Sequence, residues 1–146
     1  MDNHFNMSEF KGSGLVIGKR ESGKTTVINN ISKAHSDLSV YDDTPIIDNK
    51  SNFITAVSNL SRISKDELSN INYVFVCPSN KQLLTNLYNK LLSVYPELSS
   101  IDLNVFTENY NKYINNQTNS MVIDIQKLKC QNENIANAFS VLSCSG

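Results

Sequence analysis

The segment Gly-Lys-Arg-Glu-Ser-Gly-Lys-Thr at positions 18–25 constrains this chain more than any other part of its sequence. The apolar run 15–17 precedes it and indicates a short buried strand. Residues 27–34 follow it and repeat their apolar positions with helical spacing. A strand, a glycine-rich loop and a helix in this order are the setting in which Gly-x-x-x-x-Gly-Lys-Thr binds phosphate. We therefore predict an α/β fold organised around a phosphate-binding loop, or P-loop.

The fixed positions of this segment each have a physical role in holding a nucleotide. Gly18 and Gly23 allow tight turns, so that successive backbone N–H groups can surround phosphate oxygens. Lys24 is predicted to reach the β- and γ-phosphates of ATP, and the Thr25 hydroxyl to bind Mg²⁺. The alternative is a glycine-rich turn that binds nothing. The residues predicted to contact the nucleotide are Gly18, Lys19, Arg20, Glu21, Ser22, Gly23, Lys24, Thr25 and, through its backbone, Thr26.

Hydrolysis would also require an acidic residue that follows a neighbouring strand and holds the water shell of the magnesium ion. Asp124 follows the apolar run 121–123, the stronger of two candidate strands. The two aspartates at 42–43 follow a weaker strand pattern, and a proline close behind them favours a turn. We predict Lys24 and Asp124 as catalytic residues, and Thr25 and Asp124 as magnesium ligands. A strand-end aspartate without a ligand role is the alternative for Asp124.

Length and charge restrict what the rest of the chain can be. At 146 residues there is room for one core, so we expect one P-loop domain over residues 13–146 after a loose polar arm at 1–12. The formal net charge of −1 gives no basic field that would hold nucleic acid by itself. The sequence shows neither an apolar run of membrane-spanning length nor a signal-peptide pattern. We expect a cytoplasmic protein without a membrane contact.

Strand and helix patterns alternate along the chain, which predicts a three-layer α/β fold with a mostly parallel central sheet. The clearest strand lies at 73–77, and the clearest helix follows at 80–95. Apolar residues alternate at 101–105 and 121–125, which indicates two further strands. The weaker assignments are an ambiguous strand near 38–41, helical spacing over 53–60, a helix start at Ser64 with Glu67 in the capping-box position, and a short final helix over 135–142.

The run 15–25 resembles the P-loop of the poxvirus-type genome-packaging ATPases of large DNA viruses, which belong to the FtsK–HerA superfamily. Residues 74–79 are similar to the next strand of that family, and residues 105–117 to a later strand and helix. The resemblance implies ATP hydrolysis with Mg²⁺ by a homo-oligomeric ring that moves double-stranded DNA into a capsid. It also implies double-stranded DNA and capsid components as partners, and the host cytoplasm or a virus factory as the location.

The chain departs from the family pattern in three ways. Residues 41–70 look like an insertion, and Ile125 occupies the position of an expected second acid. The chain also ends before there is room for the remaining strands of the family and its arginine finger. We therefore expect a fold that is incomplete at the C-terminus, as in a fragment or a shortened relative. Arg62, the one arginine besides Arg20, is the obvious candidate for a finger supplied by a neighbouring subunit, and a solvated arginine is the alternative.

Residues 21–26 are also similar to the P-loop of heterotrimeric G-protein α-subunits, so guanine specificity has to be considered. The dipeptide at 80–81 follows a strand, as a guanine-reading Asn-Lys-x-Asp motif would. Leu83 stands where the aspartate of that motif would contact guanine, and Asp-x-x-Gly occurs nowhere in the chain. We interpret Asn80 as a helix N-cap and expect ATP in preference to GTP.

Two other functions remain open on the sequence alone. A small nucleoside or nucleotide kinase would suit the length, with Asp42 and Asp43 near the phosphoryl acceptor. A nucleotide-binding interaction protein without hydrolysis would keep the P-loop and lack turnover. A packaging motor predicts DNA-stimulated ATPase activity and self-association, a kinase predicts turnover with a small acceptor, and a binding protein predicts affinity alone.

Overall fold

The strands within the described part of the chain form a single six-stranded sheet. The computed structural model describes residues 4–19, 22–47, 52–114, 119–130 and 134–143. The order across the sheet is β2-β3-β1-β4-β5-β6. The strands are β1 (Gly14–Ile17), β2 (Ser39–Asp42), β3 (Phe53–Val57), β4 (Tyr73–Val76), β5 (Asn119–Asp124) and β6 (Phe139–Ser143).

Helices connect most of these strands and lie on both faces of the sheet. They are α1 (Lys24–Ala34), α2 (Lys65–Leu68), α3 (Lys81–Val94), α4 (Leu103–Tyr113) and α5 (Ile125–Lys129). Short 3₁₀ turns lie at Met7–Glu9, Leu60–Arg62, Pro96–Ser100 and Ile135–Ala138. The predicted α/β class with a mostly parallel sheet is confirmed.

The first four strands run parallel, with β1 between β3 and β4. All residues of β1 and β3 are buried, as expected for central strands that are covered by helices on both faces. Because these strands are parallel, their carboxyl ends meet at one edge of the sheet. That edge carries the loop after β1, and we call it the P-loop edge.

The last two strands change the direction of the sheet. β5 pairs antiparallel with β4, so that Met121 lies opposite Val76 and Asp124 lies opposite Tyr73. β6 pairs antiparallel with β5 and therefore runs with the parallel set again. The end of β5 consequently lies at the edge of the sheet where β1 and β4 begin.

The apolar core is divided by the sheet into two clusters. On one face, α1 contributes Val27, Ile28 and Ile31, which pack with buried residues of β1, β3 and β4 such as Val16. The larger cluster on the other face contains α3 and α4. Their buried residues there are Leu84, Leu87, Tyr88, Leu91, Phe106, Tyr110 and Tyr113. This packing fixes α1, and with it the end of the glycine-rich loop, against the central strands.

Two predicted helix starts are confirmed. The Asn80 side chain accepts a hydrogen bond from the Leu83 N–H at 2.8 Å and caps α3, as its interpretation as an N-cap requires. Ser64 and Glu67 form the predicted capping box at the start of α2, each side chain bonded to the other's backbone N–H.

Three secondary-structure predictions are wrong. The helical spacing over 53–60 covers β3, whose residues are buried on both faces and therefore show no alternation, and the start of a 3₁₀ turn at Leu60. The alternation over 101–105 runs from the end of a 3₁₀ turn at Ile101 into α4, which Asp102 caps and which buries a different set of residues. Residues 135–142 form a 3₁₀ turn followed by β6 in place of a helix.

The prediction of a loose arm at residues 1–12 is also wrong for its described part, residues 4–12. Phe10 is 4% exposed, in the cluster that contains α1. The Phe5 N–H donates to the Val141 carbonyl at 2.8 Å, and a ring nitrogen of His35 lies 2.9 Å from the Met7 carbonyl. Aromatic burial therefore holds this segment against the sheet.

The region 41–70, interpreted as an insertion, supplies the central strand β3 and the helix α2 within its described residues. None of the helices described is long and apolar enough to cross a membrane.

Candidate functional site

The loop after β1 turns in a space that admits no side chain at its first residue. A Cβ atom built on Gly18 would lie 2.4 Å from the Ser22 Oγ and 2.8 Å from the Cys77 Cβ. Both distances are too short for unbonded atoms, so glycine is required if the loop is to stay folded against the end of β4. The close approach comes from the pairing of neighbouring strands, because the Cys77 N–H donates to the Ile17 carbonyl at 2.8 Å.

The second glycine is required for a different reason. Gly23 has φ of 96°, a left-handed conformation, and it is the N-cap of α1. Apart from its chain neighbours, no atom of the described residues lies within 4 Å of the position a Cβ would take, so backbone conformation and not space selects glycine here. The turn leads directly into an eleven-residue helix whose first N–H groups have no intrahelical partners. Such a helix start attracts anions.

Lys24 lies inside the loop that it follows. Its side chain is 7% exposed, and its ammonium group donates to the carbonyls of Gly18 at 3.1 Å and Lys19 at 2.9 Å. These two bonds hold the cation across the mouth of the loop. An ammonium group has three N–H donors, so one remains for a ligand.

Ser22 contributes a buried polar atom to the loop. Its side chain is 7% exposed, and its hydroxyl has no hydrogen-bond partner within the described residues. Buried hydroxyl groups are normally satisfied, and one at a binding site is available to a ligand. A phosphate oxygen would accept a hydrogen bond from this group, so the loop fits a phosphate.

An oxygen pair on α1 and β2 lies beside the loop. Thr25, in the first turn of α1, donates from its hydroxyl to the Asp42 Oδ2 at 3.4 Å. Asp42 ends β2, which is parallel to β1 and has β3 between itself and β1. A hydroxyl and a carboxylate are the hard oxygen ligands that Mg²⁺ prefers, so this pair fits a magnesium ion or its water shell.

The next residue gives the cleft a second carboxylate. Asp43 has φ of 55°, a left-handed conformation that aspartate tolerates better than most residues. Its N–H donates to the Ala56 carbonyl at 2.9 Å, which holds the turn against β3. Its own carbonyl accepts a hydrogen bond from the Arg62 Nη1 at 3.0 Å.

These groups surround one cleft of about 830 Å³ at the P-loop edge. A cleft of this volume is within the range that binds nucleotide-sized ligands. Its lining residues are Ser22, Gly23, Lys24, Thr25, Asp42, Asp43, Ser58, Asn59 and Arg62.

The predicted role of Asp124 as a catalytic residue and magnesium ligand is not compatible with its position. Asp124 pairs with Tyr73, which pairs with Gly14 at the start of β1. It is therefore separated from Gly18 by about 13 Å along the strands, four residues at roughly 3.3 Å each. Asp124 instead caps α5, with its Oδ1 accepting from the Lys127 N–H at 3.2 Å.

Asp124 also lines a separate cleft of about 630 Å³ at the opposite edge of the sheet, together with Asn72 and Tyr73. Burial raises the pKa of the Tyr73 phenol, and the nearby carboxylates of Asp124 and then Glu9 raise it further. We call this side of the molecule the Asp124 edge.

Of the residues predicted to contact nucleotide, Gly18, Lys19, Ser22, Gly23, Lys24, Thr25 and Thr26 lie together in the loop and the first turn of α1. Arg20 and Glu21, which were predicted with them, lie outside the described residues. Lys19 and Thr26 are exposed.

The cleft residues Ser58 and Asn59 were not predicted. They follow β3, whose apolar residues have helical spacing in the sequence and therefore do not indicate the end of a strand there. The weak strand pattern before Asp42 favours Asp124 on the sequence alone. β2 is an edge strand with Val40 43% exposed, which explains the weak pattern.

Comparisons with protein-family models, with curated proteins and with solved structures give no match for this chain. Its function must therefore be inferred from the residues of the cleft.

Proposed function

We propose that this protein binds ATP with Mg²⁺ at the P-loop edge and hydrolyses it. The observation that carries the proposal is the contact between Thr25 and Asp42, beside a loop in which Lys24 bonds two backbone carbonyls. The P-loop sequence predicts phosphate binding, and this contact adds a carboxylate at the magnesium side of the site. A three-layer P-loop NTPase fold is part of the same proposal.

Each group of the cleft has a role in binding. The N–H groups of the loop and of the first turn of α1 donate to the phosphates, as does the hydroxyl of Ser22. Lys24 exchanges a bond to a loop carbonyl for a bond to a β- or γ-phosphate oxygen. Bound Mg²⁺ would neutralise charge on the phosphates, with the Thr25 hydroxyl as a ligand and Asp42 at the ion or its water shell.

Hydrolysis additionally needs a group that orients water. Asp43 is the second carboxylate of the cleft, and its turn is held by the bond from its N–H to the Ala56 carbonyl. In the proposed reaction water attacks the terminal phosphorus, the bond from that phosphorus to the ADP oxygen breaks, and the water proton ends on the phosphate. Asp43 accepts a hydrogen bond from the attacking water and aligns it.

The packaging of DNA as the purpose of this hydrolysis is supported by the resemblance of residues 15–25 to the poxvirus-type packaging ATPases. Double-stranded DNA, capsid components and other copies of the chain as partners rest on the same resemblance. Adenine in preference to guanine rests on Leu83 in place of a guanine-reading aspartate, and Asn80 uses its Oδ1 to cap α3.

A small-molecule kinase is the second candidate, and the lining of the cleft favours it. The cleft is lined by the loop, by Ser58 and Asn59 after the neighbouring strand β3, and by Asp42 and Asp43 at the end of β2, so an acceptor hydroxyl beside the phosphates would meet these carboxylates. If turnover required a nucleoside or nucleotide acceptor and released little phosphate to water, the protein would be a kinase and not an ATPase.

The direct test of binding is thermal unfolding with Mg-ATP and with Mg-GTP. At a ligand concentration about 100 times the Kd, binding stabilises the native state by roughly 2.7 kcal/mol. We expect this stabilisation for ATP in the native chain and its loss in Lys24→Ala. Lys33→Ala, which removes an exposed lysine from the last turn of the same helix, is the control and should keep it.

The result decides between the proposals. Stabilisation by Mg-ATP that disappears in Lys24→Ala establishes the site, and phosphate release with and without double-stranded DNA or small acceptors then identifies the reaction. Affinity without any turnover identifies a nucleotide-binding interaction protein. If neither nucleotide stabilises the native chain, the proposed function is wrong.

A further inference from the structure

Arg62 occupies a fixed backbone position at the rim of the cleft. It ends the 3₁₀ turn that follows β3, and the Asn59 side chain caps this turn by accepting from the Ser61 N–H at 3.0 Å. Leu60, within the turn, is 6% exposed and packs in the core. The backbone at Arg62 is therefore held by the core and by a cap, although its side chain is exposed.

Among the described residues, one hydrogen bond joins the guanidinium group of Arg62 to the cleft. Its Nη1 donates to the Asp43 carbonyl at 3.0 Å, and the left-handed turn at Asp43 presents that carbonyl. A guanidinium group has five N–H donors in a planar fork, so most of them remain for other acceptors. Planar, bidentate donors of this kind match phosphate oxygens.

The charges of the cleft favour the same role. Among the described lining residues, Asp42 and Asp43 carry negative charge, and Lys24 and Arg62 carry positive charge. Lys24 is buried in the loop, where it meets the β- and γ-phosphates. Arg62 is the described lining cation on the side of the two aspartates, where the transferred phosphoryl group would develop charge.

We propose that Arg62 contacts the terminal phosphoryl group of the nucleotide bound to its own chain and stabilises the charge that develops during its transfer. This inference rests on the proposed function of the cleft. It differs from the expectation that Arg62 serves a neighbouring subunit, because the residue lines the cleft of its own chain with Lys24 and Thr25. One folded chain then supplies the P-loop, the magnesium ligands and the arginine.

Substitution of Arg62 separates this role from binding. We expect kcat for Mg-ATP turnover to fall by about 10³-fold in Arg62→Ala. The decrease in Arg62→Lys should be only somewhat smaller, because lysine keeps the positive charge but lacks the planar pair of N–H donors. Stabilisation by Mg-ATP should stay near that of the native chain. The additional stabilisation that aluminium fluoride gives over Mg-ADP alone, by imitating the phosphoryl group in transfer, should be lost. Lys65→Ala, at an exposed cation outside the cleft, is the control and should change neither quantity.

Mixing two inactive variants tests whether the arginine acts within one chain. Lys24→Ala lacks a working P-loop and Arg62→Ala lacks the arginine, so their mixture stays inactive if Arg62 serves its own chain. Activity restored by mixing would overturn the inference in favour of a neighbouring subunit. An Arg62→Ala variant that binds and turns over Mg-ATP like the native chain would overturn it while leaving the proposed function intact. Absence of ATP binding by the native chain would overturn both.

Discussion

Asp42 and Asp124 each end a β-strand of the same sheet, and the two residues lie at opposite edges of it. Asp42 ends β2, which runs parallel to β1, so its carboxylate is 3.4 Å from the Thr25 hydroxyl at the P-loop edge. Asp124 ends β5, which runs antiparallel to β4, so it lies level with the start of β1. The direction of a strand decides which edge its last residue reaches.

The two aspartates have correspondingly different surroundings. The Asp42 carboxylate lines the same cleft as Lys24 and Arg62, among groups that can hold a phosphate and a cation. The Asp124 carboxylate accepts a hydrogen bond from a helix N–H and raises the pKa of a neighbouring tyrosine. We assign Asp42 to the magnesium site as part of the proposed function, and Asp124 to the structure of the Asp124 edge.

The largest expected difference between the two edges is in turnover. Asp42→Asn should lower the rate of Mg-ATP turnover by about 10- to 100-fold, because an amide neither carries the charge nor organises the water shell of the ion. Asp124→Asn should leave the rate unchanged. Phosphate release measured over a range of Mg²⁺ concentrations compares the two variants. Equal losses in both, or a larger loss in Asp124→Asn, would show that the assignment is wrong.

A second comparison uses the two glycines at the ends of β1. Gly18→Ala places a methyl group against Ser22 and Cys77, and Gly14→Ala places one against the rings of Phe10 and Phe75. Each should lower the free energy of unfolding by about 1–3 kcal/mol through overpacking. We expect Gly18→Ala alone to lose the stabilisation by Mg-ATP, because only its methyl group deforms the loop. Thermal unfolding with and without Mg-ATP measures both effects. If Gly14→Ala also lost the stabilisation by Mg-ATP, the ligand site would not be confined to the P-loop edge.

The smallest effect concerns the ionisation of Tyr73. Its raised pKa means that folding disfavours the phenolate, so its contribution to stability is complete below about pH 10 and is lost as pH rises through the folded pKa. Asp124→Asn keeps an N-cap acceptor and removes a negative charge, so the pKa should fall part of the way towards 10.0. Burial, the largest cause, remains. The tyrosinate absorbance is measured against pH for the native chain and for Asp124→Asn, each with and without Tyr73→Phe. The difference within each pair isolates the titration of Tyr73 among the six tyrosines. An unchanged pKa would remove Asp124 as a cause.

The strand, loop and helix over residues 14–34 could be predicted because their signals are local. A strand, two glycines at fixed spacing and an amphipathic helix lie within 21 consecutive residues, 14–34, and the structure has them as predicted. The caps of α2 and α3 were predictable for the same reason, since each depends on residues three positions apart.

The errors occurred where burial or pairing overrode the local pattern. β3 is buried on both faces, so its apolar residues follow no period of two. In α4, the alternating Leu103 and Val105 are only partly buried or exposed, while Phe106 and Tyr110 provide the buried face. The edge reached by Asp124 depends on the antiparallel pairing of β5 with β4, which follows from packing of the whole chain and not from the strand's own residues.

The most direct test of the site is to replace Mg²⁺ by paramagnetic Mn²⁺ with a non-hydrolysable ATP analogue, and to record the backbone amide spectrum of the protein. We expect the signals of residues 22–26, 42–43 and 58–59 to broaden most, because these residues surround the proposed ion at the P-loop edge, while signals of residues 72–73 and 124–127 broaden much less. Broadening centred on residues 124–127, or equal broadening at both edges, would contradict the assignment of the nucleotide and metal site to the P-loop edge.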